Sequence, residues 1–230
     1  MFSRRKNSKS TIDLATPESI TPRFVATLGA EASQQVKKLY ANGGAGIEAF
    51  SLRGSVEFAA VDERDQCETV KRIAMIEGLK TVDLGGCGLT RTSVPSVQRI
   101  LFLSKSLKVL QVPNNRFSPP EVTQVLQGVP YFTKCEVLNV ASIDPPTKEM
   151  AGAALDTAKR AESMRFIFLT TVEVLEALDE SYQEVLAILS ELSKLLAARD
   201  TSGKEVPAYT YIALPTSQLP PVQLSSYLEA

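Results

Sequence analysis

Cys67, Cys87 and Cys135 are the residues best suited to covalent or metal chemistry, and the rest of the sequence gives them little to work with. A thiolate nucleophile needs a neighbouring base, and a structural metal site needs clustered ligands. The three thiols form no Cys-x-x-Cys pair, and an odd count does not make a disulfide framework. The chain contains no histidine. That removes the commonest general base and the commonest transition-metal ligand, and with them any Ser-His-Asp or Cys-His site. Carboxylate or lysine chemistry stays open. The densest carboxylate run, Asp62, Glu63 and Asp65, however, stands where a helix should begin, and the helix dipole favours it there. The glycine-rich stretches NGGAG (42–46) and LGGCG (84–88) lack the Gly-Lys-Ser/Thr of a phosphate loop and the G-x-G-x-x-G of a dinucleotide site. The expectation is a chain without catalytic residues, cofactor, metal or small-molecule substrate.

One of those cysteines belongs to a spaced apolar frame. Leu79, Val82 and Leu84 are followed by Cys87 and Leu89; Leu107, Leu110 and Val112 are followed by Asn115 and Phe117. The first three places recur as Cys135, Leu138 and Val140, as Ile47, Phe50 and Leu52, and as Met164, Ile167 and Leu169. The five occurrences are separated by 32, 28, 28 and 29 residues. A near-constant period in this range signals stacked strand-containing units, none of which can bury its apolar side alone.

The pattern resembles the leucine-rich repeat family, L-x-x-L-x-L-x-x-N/C-x-L, over about residues 45–200. The 28-residue period is similar to that of the ribonuclease-inhibitor subtype, with a strand and a full helix per repeat. The resemblance implies an α/β solenoid of about five repeats, a short curved parallel sheet with helices on its convex side. It also gives Cys87 and Asn115 a structural role. After each strand the chain turns sharply, and backbone groups buried between neighbouring coils need partners. An Asn amide both donates and accepts, and a Cys thiol is a small hydrophobe with a weak donor. Ser55, Ile143 and Val172 hold that place in the other three repeats, so the turn there is built differently.

Helices are expected between the strands. Residues 63–77 put Cys67, Val70, Ile73 and Ile76 on one face, with Gly78 as a cap. From Ser93, Val94, Val97, Ile100 and Leu101 share a face; from Pro119, Val122, Val125 and Leu126 do. Residues 147–161 offer a small-residue face, and a single long helix is expected over about 175–199. The chain divides into a basic extended arm (1–21), a helical cap (22–44), the repeat domain with its long final helix (45–200) and a Pro-rich extended tail (201–230).

Alternate strand residues point opposite ways. If the frame points inward, the open concave sheet carries Ala49, Thr81, Val109, Val137 and Phe166 in one row and Ser51, Asp83, Gln111, Asn139 and Phe168 in the next. A third row holds Arg53, Gly85, Pro113, Ala141 and Thr170. This surface is poor in charge and moderately apolar, as a partner's docking face would be. The residues expected to bind a partner are Arg53, Asp83, Val109, Gln111, Val137, Asn139, Phe166 and Phe168. The alternative is that the chain's own tail covers them.

At 230 residues the chain makes one large domain or two small ones, and a net charge of −1 gives no global attraction to nucleic acid. No apolar run approaches the roughly 20 residues that span a bilayer. Residues 1–10 carry four basic side chains and no acidic one. Such a segment suits a mitochondrial leader or an arm lying on an acidic partner. The reading is a non-catalytic protein–protein interaction scaffold, one subunit of a multi-subunit cytoskeletal or ciliary assembly in the cytoplasm. A subunit of a mitochondrial complex is the alternative. So is an actin-binding protein, because a five-repeat array ending in a long helix is similar in architecture to the C-terminal half of the tropomodulin family.

Overall fold

The computed structural model describes residues 22–200, 207 and 209–221. Its centre is a five-stranded parallel sheet whose strands lie side by side in chain order. They are β1 (Ala49–Ser51), β2 (Thr81–Asp83), β3 (Val109–Gln111), β4 (Val137–Asn139) and β5 (Phe166–Phe168). The register pairs Phe50 with Val82, Val82 with Leu110, Leu110 with Leu138 and Leu138 with Ile167. Those are the middle frame residues, and each has no exposed surface. Strands of three residues suffice because only one side chain per strand needs to point inward; the first and last frame residues flank it and are buried too.

Parallel neighbours require long crossovers, and helices supply them. Before the sheet comes a 3-10 turn at Arg23–Thr27 and α1 (Ala30–Asn42), which buries Val36 and Leu39 and stops at Gly43, in the left-handed conformation at φ 67°. Between β1 and β2 lie α2 (Val56–Ala59) and α3 (Glu63–Ile73). The Asp62 carboxylate accepts from the Arg64 amide at the start of α3. The helix ends four residues short of the expected 77, and Ile76 is buried from the following turn. Its inner face carries Gln66, which donates to the Phe58 carbonyl at 2.8 Å, while Cys67 is half-buried.

The remaining crossovers are α4 (Val94–Leu103), α5 (Pro119–Gln127) and α6 (Lys148–Arg160). At the start of α5 the Glu121 carboxylate turns back to accept from the Ser118 amide at 2.7 Å. Helix α6 presents Ala151, Ala154 and Ala158, none of them exposed, so α5 on one side and the helix at Gln183–Ala197 on the other approach it closely. The expected single helix over 175–199 is two: α7 (Val172–Glu176) and α8 (Gln183–Ala197), separated by a turn. Asp179 causes the break, because its carboxylate captures the Ser181 amide at 2.9 Å and competes with helical pairing. The stripe Val185, Leu189, Leu192 and Leu196 of α8 is buried against the core.

Core residues from the 3-10 turn to Ala213 form one continuous cluster. Among the described residues, no helix is long and apolar enough to cross a membrane. The basic arm at 1–21 lies outside the described residues, as does much of the expected tail. The described part of that tail adds β7 (Ala213–Leu214), paired in parallel with β6 (Thr170–Thr171).

Candidate protein-binding surface

The open face of the sheet brings the expected rows together. Val109, Val137, Phe166, Phe168, Asp83 and Gln111 are half-buried, and Arg53 is exposed at the β1 end. The Phe166 and Phe168 rings stack on one another, centroids 5.7 Å apart. Asn139 is buried. Its Oδ1 accepts from the Ala141 amide at 3.1 Å, and its Nδ2 lies 3.5 Å from Gln111 Oε1. Arg53 and Asp83 form an ion pair at 3.2 Å, and the other Asp83 oxygen accepts from the Gly85 amide.

The third row, by contrast, is buried from Gly85 to Thr170. Part of that cover comes from the chain's own tail. Residues 211 and 212 lie along the outer edge of β5, where the Ile167 and Leu169 amides donate to the Tyr211 and Ile212 carbonyls, both at 3.0 Å. The Tyr211 hydroxyl donates to Asp200 at 2.8 Å. The strap then turns back across the ends of the strands. Thr216 donates its amide and hydroxyl to Glu173, the Gln218 carbonyl accepts from Arg53, and the Pro220 carbonyl accepts from Asn114 Nδ2 at 2.6 Å. The backbone at Gly86 is left-handed, φ 65°, and a Cβ there would sit 2.8 Å from the Pro221 carbonyl. Side chains are thus excluded where the strap passes.

Asn114 falls outside the apolar frame, yet the sequence carries a signal for it. It holds the register of Gly54 and Gly86, both left-handed, and it is itself left-handed at φ 53°. An Asn tolerates that conformation and adds an amide that glycine lacks.

Behind this rim lie the turn residues. Cys87 Sγ donates to the Leu52 carbonyl at 3.0 Å. Asn115 Nδ2 donates to the carbonyls of Leu84 and Val112, at 2.9 and 3.0 Å, and its Oδ1 accepts from the Leu89 amide at 3.0 Å. Leu52 and Leu84 are the same frame place in successive units, so thiol and amide serve equivalent carbonyls. Where the frame departs, the turns differ. Ser55 accepts from the Phe58 amide, Ile143 is exposed while Thr170 donates to the carbonyls beside it, and Val172 opens α7. Burial raises the Cys87 thiol far above its ordinary value, helped by the Asp83 charge, and pushes Cys135 up to about 12. A thiol held that high is not a thiolate at neutral pH. Among the described residues, no group of Cys, Asp and Glu could hold a metal ion.

No known family profile and no curated protein matches this chain. Among solved structures, the tropomodulin C-terminal domain of Caenorhabditis elegans is similar, with a TM-score of 0.53 at 11% identity over 74% of this chain and 98% of that one. The fold is therefore an α/β, leucine-rich-repeat-like fold of the kind seen in that domain.

Proposed function

We propose that this chain is a short leucine-rich solenoid of five ribonuclease-inhibitor-like repeats and serves, without catalysis, as a protein-binding subunit of a cytoskeletal assembly. The observation that carries the reading is the uncovered part of the sheet face. There Val109, Val137 and Phe168 stay half-exposed beside the Arg53–Asp83 pair while the rim next to them is strapped down. A rigid, weakly charged apolar column is what a partner's surface buries well, and aromatic residues dominate such contacts. Likeness to the tropomodulin domain makes actin filaments the first partner to try, and a ciliary setting makes microtubules the second.

Co-sedimentation of the full chain with each filament tests this. The chain pellets with one of them, and Val109→Glu with Val137→Glu abolishes pelleting while leaving the circular dichroism unchanged. A chain that stays in the supernatant with both filaments, and whose open face forms no crosslink in its native assembly, refutes the reading. The mitochondrial reading rests on Arg4, Arg5, Lys6 and Lys9; mass spectrometry of the native N-terminus distinguishes a cleaved leader from a retained arm.

A further inference from the structure

The turns that lead from helix to strand carry a second apolar surface that the sheet face does not explain. Met75, Leu103 and Tyr131 are 62%, 37% and 76% exposed. They recur at 28-residue intervals, each four residues before a frame start, so the parallel register sets them in one row across three successive units. Two more exposed rings extend that row. Phe102 meets Phe132 edge-on at 5.6 Å, and Phe132 meets Tyr131 at 5.3 Å. Beside Phe102 lies a groove of about 370 Å³ lined by Gln98, Arg99, Leu103 and Gly128. Gln98 packs directly on Gly128, where a Cβ would stand 2.5 Å from its amide nitrogen, and that nitrogen donates to the Gln124 carbonyl at 2.7 Å. Single exposed apolar residues are ordinary; five in one contiguous strip are not.

Charge selects the occupant. Arg99 lies against Met75 Sδ at 3.9 Å, Lys105 follows Leu103 by two places, and Lys134 follows Phe132 by two. None of these three cations forms an ion pair with a carboxylate among the described residues. Glu77, in the unit of Met75, and Glu162, in the unit after the row, hold the place of Lys105, and Glu136, two places after Lys134, is paired with Lys108. A second copy meeting this strip about a two-fold axis would set cations against the same cations. Residues 1–10 are basic and would be repelled in the same way. The described part of the tail ends at Pro221, beside Gly86 at the other ends of the strands.

Spacing selects the shape. The row lies between the helices and the strands, where neighbouring units are about 8–10 Å and about 4.7–4.9 Å apart respectively. Residues i and i+3 or i+4 of an α-helix lie about 5–6 Å apart and residues i and i+7 about 10.5 Å, so one apolar stripe reaches across that range. We infer that the Met75–Leu103–Tyr131 strip docks an amphipathic helix of a partner protein, its apolar stripe on the rings and its flanking carboxylates on Arg99, Lys105 and Lys134. This surface is independent of the open sheet face.

The test displays a library of peptides about five helical turns long, with apolar residues fixed at i, i+3, i+4 and i+7 and flanks drawn from Asp, Glu, Lys, Arg, Asn and Gln. Selection uses the full chain, with counter-selection on Phe102→Asp with Tyr131→Asp. Both rings are exposed, so that variant should keep its circular dichroism. Enriched peptides carry acidic flanks, lose at least tenfold in affinity on the Phe102→Asp protein, and prefer basic flanks on Lys105→Glu with Lys134→Glu. Enrichment that survives counter-selection, flanks of either sign, crosslinks on the sheet face, or no enrichment at all overturns the inference. So does self-association of the wild-type chain in sedimentation velocity that Phe102→Asp abolishes, which would make the occupant a second copy.

Discussion

The ring of Tyr211 lies over that of Phe166, centroids 5.4 Å apart and planes inclined by 24°. The strap is thereby fastened to the end of the sheet by side chain as well as backbone. Tyr211 is 4% exposed, so truncating it removes a buried aromatic, at a cost of about 3–5 kcal/mol in a core that cannot collapse. Tyr211→Ala should lower the urea-denaturation free energy by at least about 2 kcal/mol and speed amide exchange at Ala213 and Leu214. Tyr211→Phe keeps the stack and loses only the bond to Asp200, a loss of about 1 kcal/mol. Equal losses in the two variants would show that the hydroxyl, not the ring, holds the strap.

Further along, the strap depends on one carboxylate. The Glu173 carboxyl is held below its ordinary value of 4.5 by its own backbone amide, then by the Thr216 hydroxyl and amide. A group whose folded value is lowered binds more protons when unfolded, so its contribution is full above the unfolded value and disappears as pH falls through the folded one. The protection factor of the Thr216 amide should be flat from neutrality to about pH 5 and fall below pH 4.5. Glu173→Gln should remove that acid step, because an amide does not titrate here. A step unchanged in Glu173→Gln would assign the acid sensitivity to another group.

What the sequence reveals and what it conceals follow from one distinction. Burial of one side chain per strand leaves a periodic trace, so the pairing of Phe50, Val82, Leu110, Leu138 and Ile167 is legible from spacing alone. The break between α7 and α8 leaves no such trace. Leu175, Leu178 and Val185 keep helical spacing across it, and a single Asp179–Ser181 bond decides the geometry. Apolar periodicity points to Cys67 and not to its neighbour Gln66, because polarity disguises a side chain that is buried through its bond to Phe58. The strap is legible only as an apolar, Pro-rich segment needing a surface. Its path depends on single contacts such as Asn114 with Pro220, 106 residues apart, which no local pattern encodes. The helix-to-strand row shares the frame's own period, yet exposure, which separates a docking residue from a core residue, is not a property of spacing.

Thiol reactivity reads out the core directly. Cys87 and Cys135 are fully buried with raised values, whereas Cys67 is half-exposed beside Thr92 and Ser93. Iodoacetamide at about pH 8 should modify Cys67 alone in the folded chain and all three thiols in denaturant, as read by peptide mass mapping. Native labelling of Cys87 at a rate similar to that of Cys67 would mean that the turn behind the rim opens far more often than its packing implies.

The last prediction separates the two chemistries used at the turn. Asn115 satisfies two carbonyls and one amide, while Cys87 offers a single donor at the equivalent place. Asn115→Ala leaves all three backbone groups without that partner, and each buried group so orphaned costs about 1–3 kcal/mol. The loss is limited where water reaches, since Asn115 is half-buried. Asn115→Cys restores a donor towards Leu84 but not the acceptor for the Leu89 amide, so its stability should fall between wild type and Asn115→Ala. Asn115→Asp tests the reverse: it keeps the acceptor for Leu89 and sets a carboxylate against the Leu84 and Val112 carbonyls, which should be the worst of the three above about pH 5 and recover on acidification as the carboxyl gains a proton to donate. Denaturation midpoints of the three variants at about pH 7 and about pH 4.5 give the order. Asp tolerated as well as Cys at neutral pH would show that the Leu89 amide, not the carbonyl pair, is what this turn requires.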